Sequence, residues 1–222
     1  MRTDYNWAFY DEFDFSFTST RSEVADIMDI SQGMDILDVG CADGKTLKYI
    51  KDKHKVNLYG VEPDRRLSSM AGQHGKIFCG TVEKYLKTVN KSFDAIIMTD
   101  VIEHLVNPWV VVRELGRRLK EGGAIYASIP NVMHATVLYN LLVNGSFAYQ
   151  SNDIVNREHL RFFTYNDAMA LFIIAGLKPQ CMGGISLPIP EGCLEEIEKV
   201  EELFGREDYN SNLYQFVIKA VR

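Results

Sequence analysis

Short, nearly continuous apolar runs alternate along this chain with stretches of helical periodicity, and the switches between them mark its elements. Ile36-Leu-Asp-Val39 is one such run, closed by Gly40; it reads as a strand buried on both faces. Asn57–Val61, Lys76–Cys79, Phe93–Met98 and Gly123–Ile129 repeat the pattern. Helical stretches follow Gly44 and run from Asp64 to His74, Val82 to Val89 and Pro108 to Lys120. Ahead of them all, Thr20 and Glu23 have the spacing of a capping box. It would open a helix with Val24, Ile27 and Met28 on one face. Strand-helix alternation predicts parallel pairing through right-handed crossovers.

The rhythm breaks at 131–163, a stretch too long for an ordinary connection. It is expected to form a helical cap over the end of the fifth strand. Thr164 and Asp167 then cap a helix that stops at Gly176, and Lys178–Ser186 reads as a strand. Glu191–Phe204 is an acidic amphipathic helix with Leu194, Ile197, Val200 and Phe204 in step, and Leu213–Ala220 is a final strand. The expected fold is therefore α/β. Its seven-stranded sheet is mostly parallel, with the last strand antiparallel at one edge and helices on both faces. Residues 1–222 are expected to form one domain, with 1–30 an aromatic N-terminal segment and helix.

Composition narrows the function classes. A net charge of −6 argues against a broad nucleic-acid footprint. Cys41, Cys79, Cys181 and Cys193 are scattered, with no metal-ligand spacing, so neither structural zinc nor a disulfide framework is expected. A reducing cytoplasm is the simplest setting. The polar, aromatic start from Met1 to Trp7 is unlike a signal peptide, and no apolar run approaches the ~20 residues of a membrane span.

Candidate chemistry concentrates where the first strand ends. Gly40 and Gly44 allow a sharp bend and close approach of a ligand, while Asp38 and Asp43 flank the same turn. Acids suit a cationic, amino-acid-like ligand better than a pyrophosphate, which makes S-adenosylmethionine the first candidate. Glu62 ends the second strand ~20 residues on, where a carboxylate accepts ribose hydroxyls.

Four blocks carry a family resemblance: Ile36–Gly44, Gly60–Asp64, Phe93–Leu105, and the pair Ile129–His134 with His159–Thr164. Together they resemble class I S-adenosylmethionine-dependent methyltransferases, in particular the branch of ubiquinone-biosynthesis-type O-methyltransferases. The resemblance implies a Rossmann-like fold and methyl transfer to a small-molecule oxygen or nitrogen. It implies cofactor contacts from Asp38, Gly40, Cys41, Ala42, Asp43, Gly44, Glu62 and Pro63. Val82 and Glu83 would meet the adenine, and Thr99, Asp100 and Val101 the methyl donor. Ala42 replaces the middle glycine of the family's turn, for which a slightly tighter fit is expected.

On the acceptor side, His104, His134 and His159 are candidate catalytic residues, and Arg157, Arg161 and Tyr10 candidate substrate contacts. His104 suits a base, an orienting group or a structural role; His159 and Arg161 suit either catalysis or anchoring of the cap. Relatives carry Asp-x-Thr-His where this chain has Asn156-Arg-Glu-His159, which leaves acceptor preference open. The aromatic segment from Tyr5 to Phe17 reads as packing against the domain or as a lid over the sulfonium. No metal is expected. Two other readings fit the same turn: a nicotinamide-dependent oxidoreductase, which would need G-x-G-x-x-G, and a non-catalytic ligand-binding protein.

Overall fold

A computed structural model describes residues 20–151, 153–204 and 210–222 of the protein. After the short helix α1 (Ser22–Ala25), strands and helices alternate. They run β1 (Asp35–Val39), α2 (Lys45–Lys53), β2 (Asn57–Glu62), α3 (Arg65–Ala71), β3 (Lys76–Cys79), α4 (Val82–Thr88) and β4 (Phe93–Thr99). A 3-10 helix (Ile102–His104) precedes α5 (Pro108–Arg117) and β5 (Leu119–Pro130). The chain then forms α6 (Ala135–Leu142), α7 (Tyr165–Ile174), β6 (Lys178–Ile185), α8 (Cys193–Phe204) and β7 (Gln215–Val221).

The strands form one seven-stranded sheet in the order β3-β2-β1-β4-β5-β7-β6. β1 to β5 pair in parallel, whereas β7 is antiparallel to both β5 and β6. The period-two pattern sorts the core onto two faces. Leu37, Val39, Ile96 and Met98 pack with α4, α5 and α7 through Tyr85, Val112, Leu115 and Phe172. Ile36, Ala95 and Ile97 pack with α1, α2 and α3 through Val24, Leu47, Ile50 and Ala71. Helices therefore cover both faces, and each fully buried aliphatic side chain contributes about 1.5–3 kcal/mol.

Several boundaries differ from the sequence reading. The last strand is not at the edge: β7 lies between β5 and β6. Its residues Gln215–Ile218 are all buried, as an interior strand requires. β6 is mostly exposed and carries Pro179, which lacks an amide donor and suits an edge. The Thr20 capping box does not form, because α1 starts after Arg21 and has no side-chain cap. Arg21 is engaged elsewhere, its amide with Thr46 Oγ1 and its guanidinium with Asp100. α3 stops at Ala71, and α5 yields to a β5 that starts at Leu119. Among the described residues of 131–163 only α6 is helical. Ala135 and Leu138 on α6 pack against Ile197 of α8, and isolated pairings join Asn131 to Phe163 and Gln150 to Asn156.

Candidate active site

The strand order reverses between β1 and β4, and there the carboxyl ends of parallel strands open a crevice for ligands. Its floor is the turn after β1. The amides of Gly40 and Cys41 both donate to the Val61 carbonyl, at 2.8 and 3.2 Å, which folds the chain back on itself. Gly40 has φ +72°, and a Cβ there would come 2.6 Å from Val101 Cγ2. Gly44, with φ +83°, heads α2 as its N-cap.

Ala42 also takes a left-handed φ, +46°. The tight fit expected at this position is thus joined by backbone strain of roughly 1–2 kcal/mol. Ala42→Gly is expected to stabilise the protein by about 0.5–1 kcal/mol, because the relieved strain exceeds the added unfolded-state entropy. Urea unfolding of the two proteins measures it; a loss of stability would contradict this account.

Glu62 spans the turn. Oε2 accepts the Ala42 amide at 2.9 Å and Oε1 accepts the Asp64 amide at 2.8 Å. Each oxygen keeps a further lone pair for a ligand hydroxyl. Burial raises its pKa to about 7, against the opposing pull of those two amides. Asp38 is only 2% exposed. Burial, and then the charge of Glu62, push its pKa up to about 8. Cys41 is buried, and burial pushes its thiol up as well. Asp43 pairs with Lys45 at 3.0 Å, and Pro63 is half-buried beside Asp64, whose side chain caps α3. Val82 is buried and Glu83 half-buried in the first turn of α4, capped by Thr81.

Opposite the turn, Asp100 follows β4 and the half-buried Thr99 with φ +53°. Its carboxylate accepts Gln215 Nε2 at 2.7 Å and Ser128 Oγ at 3.3 Å, and pairs with Arg21. Beyond it the chain is stitched to the 154–161 segment. The Glu103 carbonyl accepts the amides of Leu160 and Arg161, at 2.8 and 3.0 Å. His104 Nδ1 lies 3.1 Å from the Glu158 carbonyl and His159 Nδ1 2.8 Å from that of Ile154. A carbonyl only accepts, so both Nδ1 atoms carry the proton and both Nε2 atoms keep a lone pair. The two rings meet edge to face, 4.8 Å apart. Burial, and then the neighbouring His159, depress the His104 pKa to about 4; burial also lowers His159.

The other acceptor-side candidates lie differently. His134 caps α6, with Nδ1 2.8 Å from Thr136 Oγ1 and its ring edge-on to Tyr214. Its described contacts are these, and not the pair formed by His104 and His159. Arg161 donates to the backbone carbonyls of Leu160 and Val106, while Arg157 is exposed. Tyr10 and the aromatic segment from Tyr5 to Phe17 lie outside the described residues.

Three residues at the site carried no role in the sequence reading. Glu103 is 1% exposed, and neither carboxylate oxygen has a hydrogen-bond partner among the described residues. Its adjacency to His104 at the sheet's ligand edge was the available signal. Arg21 and Gln215 are 79 and 115 positions from Asp100, and no local pattern announces them.

Known proteins resemble this chain in sequence and in fold. The profile of a family described as "Methyltransferase domain" matches residues 10–179, most of the chain. The chain belongs to this methyltransferase family. A ubiquinone biosynthesis O-methyltransferase from Coxiella burnetii (strain Dugway 5J108-111) is 24% identical over 162 residues, 66% of this chain and 68% of its own. A phosphoethanolamine N-methyltransferase from Triticum aestivum is 27% identical over 115 residues, 49% of this chain. The match spans only 23% of that relative's length. A SAM-dependent methyltransferase from Archaeoglobus fulgidus has the same fold, with a TM-score of 0.64 at 17% identity over 99% of this chain and 100% of that one. The methyltransferase has, among its described residues, no helix long and apolar enough to cross a membrane.

Proposed function

We propose that this methyltransferase moves the methyl group of S-adenosylmethionine to an oxygen, or a nitrogen, of a small-molecule metabolite. Residues 1–222 would act as one cytoplasmic catalytic domain, with 131–163 as the cap over the acceptor. The observation that carries the reading is Glu62: a buried carboxylate, held by two turn amides, with free lone pairs toward the crevice. It accepts the ribose hydroxyls in this reading. Asp38 stands on the ammonium side of the methionine part, along the backbone of Gly40, Cys41, Ala42, Asp43 and Gly44. Pro63 flanks the ribose, Val82 and Glu83 the adenine, and Thr99, Asp100 and Val101 the reacting methyl.

The nucleophile attacks the methyl carbon opposite sulfur, and the C–S electron pair returns to sulfur to give S-adenosylhomocysteine. Holding three atoms in line supplies much of the catalysis. His104 and His159, neutral at pH 7, serve the acceptor as base or orienting groups; His134, Arg157, Arg161 and Tyr10 complete its surroundings. An O- and an N-methyltransferase among the relatives support either target atom. The oxidoreductase alternative is weaker, because acids flank the turn and the G-x-G-x-x-G spacing from Gly40 meets Ala42 and Lys45.

Glu62→Ala is expected to weaken S-adenosylhomocysteine binding by roughly 1–3 kcal/mol, the scale for hydrogen bonds to a charged acceptor. Only the ionised carboxylate accepts both hydroxyls. With the pKa of Glu62 raised to about 7 and that of Asp38 to about 8, affinity should rise as pH increases through both values. Calorimetry between pH 6 and 8 tests both points: an unchanged dissociation constant in a folded variant removes Glu62 from the site. Incubating metabolite extracts with methyl-labelled cofactor then identifies the product that gains label. Cofactor binding without any labelled product would favour the non-catalytic reading.

A further inference from the structure

The 131–163 segment holds a cavity that the chemistry above does not use. It lies between α6 and residues 146–155 and has a volume of about 260 Å³. Thr136 and Asn140, four positions apart on α6, line it from one side of that helix. Ser146, Phe147, Gln150 and Asp153 line it from the loop. Backbone bonds tie this loop back at both ends. The Ser146 amide donates to the Asn140 carbonyl and the Gln150 amide to the Val155 carbonyl, each at 2.9 Å. The cavity is therefore built before any ligand arrives.

We propose that this cavity binds a hydroxyl-rich sugar ring carried by the methyl acceptor. The chemistry of the lining selects that class. Two side-chain amides and two hydroxyls can each donate and accept, and neighbouring sugar hydroxyls do the same. Asp153 adds an acceptor. The Ile154 amide and the Tyr214 hydroxyl approach its Oδ1, at 2.6 and 3.5 Å, which leaves Oδ2 for a ligand hydroxyl. Among the described residues the lining has no lysine, arginine or histidine. A phosphate or carboxylate would thus meet the Asp153 charge with nothing to offset it.

Phe147 supplies the apolar wall that a sugar also needs. Its ring packs edge to face on Tyr149 and on Phe162, with centroids 5.9 and 5.4 Å apart, and is held in place. The negative face of an aromatic ring attracts the C–H side of a sugar. Size agrees with one ring: sites for drug-sized ligands enclose roughly 300–1,000 Å³, and this cavity falls just below them. Behind Thr136 lies His134, 2% exposed, with Nδ1 on the Thr136 hydroxyl at 2.8 Å. Its Nε2 is buried with no partner among the described residues, a polar position left unfilled beside the cavity.

The proposal rests on the methyl-transfer reading and adds the acceptor class, a glycosylated metabolite. Tyr214 and His159 link the cavity to the candidate methyl site, because the charges of Asp153 and Asp100 both act on each of them. Gln215, next to Tyr214 on β7, holds Asp100 at 2.7 Å. The sugar ring therefore sits beside the reacting centre, and the methylated atom belongs to the group joined to it.

Saturation-transfer NMR on the full chain with S-adenosylhomocysteine present tests the site. The probes are methyl hexopyranosides at millimolar concentration, with choline and phenol as comparison compounds. At least one hexopyranoside should receive saturation through its ring C–H protons, more strongly than either comparison compound. Asp153→Asn should weaken its binding roughly 10-fold, the scale for a hydrogen bond to a charged group. Gln150→Ala, at an exposed position, should weaken it several-fold without touching the core. Thermal melts and S-adenosylhomocysteine calorimetry identify the folded variants. No hexopyranoside binding to the wild type overturns the proposal, as does unchanged binding in both folded variants. Choline binding that exceeds sugar binding and is lost in Asp153→Asn assigns the cavity to a cation and also overturns it. The two readings fail separately: sugar binding without S-adenosylhomocysteine binding refutes methyl transfer alone, and the converse refutes the sugar site alone.

Discussion

His159→Ala is expected to lower methyl-transfer turnover by about 100-fold or more, the range for losing a positioned catalytic group. The same substitution removes one hydrogen bond, from Nδ1 to the Ile154 carbonyl, worth about 0.5–1.5 kcal/mol. A purely anchoring role would therefore cost melting temperature but leave turnover per folded molecule nearly unchanged. The measurement is turnover with the acceptor identified by the labelled-methyl screen, normalised to folded protein, alongside a thermal melt. S-adenosylhomocysteine binding should be unaltered, because His159 meets His104 and the cap and not the glycine turn. A small drop in turnover with a large drop in stability would assign His159 to structure.

Gly44→Ala is expected to destabilise the fold by about 2–4 kcal/mol, from left-handed strain and overpacking together. At φ +83° the new Cβ would come 2.8 Å from Ala71 Cα and 3.0 Å from Ala71 Cβ. The clash is with the backbone of α3, which a rotamer change cannot relieve. Gly33 supplies the control: its φ is +84°, yet nothing lies within 4 Å of a Cβ there. Gly33→Ala should cost only the strain, roughly 1–2 kcal/mol. Urea unfolding of both variants separates the two contributions. Equal losses would mean that the contact between the turn and α3 does not matter.

Most elements were legible in the sequence because their signals are local. β1 to β4 and α4 match their predicted ranges to within a residue or two, since apolar runs between glycines and capping residues specify them. Thr164 caps α7 through the Asp167 amide as its spacing predicts. The glycine turn and Glu62 were legible for the same reason: residues 20 positions apart are joined through one parallel strand pair.

What the sequence determined by itself was the strand-helix alternation, the acidic glycine turn with the carboxylate 20 positions on, and hence the family. The tertiary structure alone decided the rest, because long-range pairing and burial leave no local pattern. Whether β6 or β7 takes the sheet's edge depends on which can bury both faces, and only packing against β5 and the helices settles that. The expected Thr20 capping box gives way to an α1 headed by Arg21, which Thr46 and Asp100 hold. Glu103 reads as an ordinary acid beside a histidine until the 154–161 segment folds over it. Closure of that segment removes water from the carboxylate and brings His159 to His104, which makes a set of scattered side chains into a site.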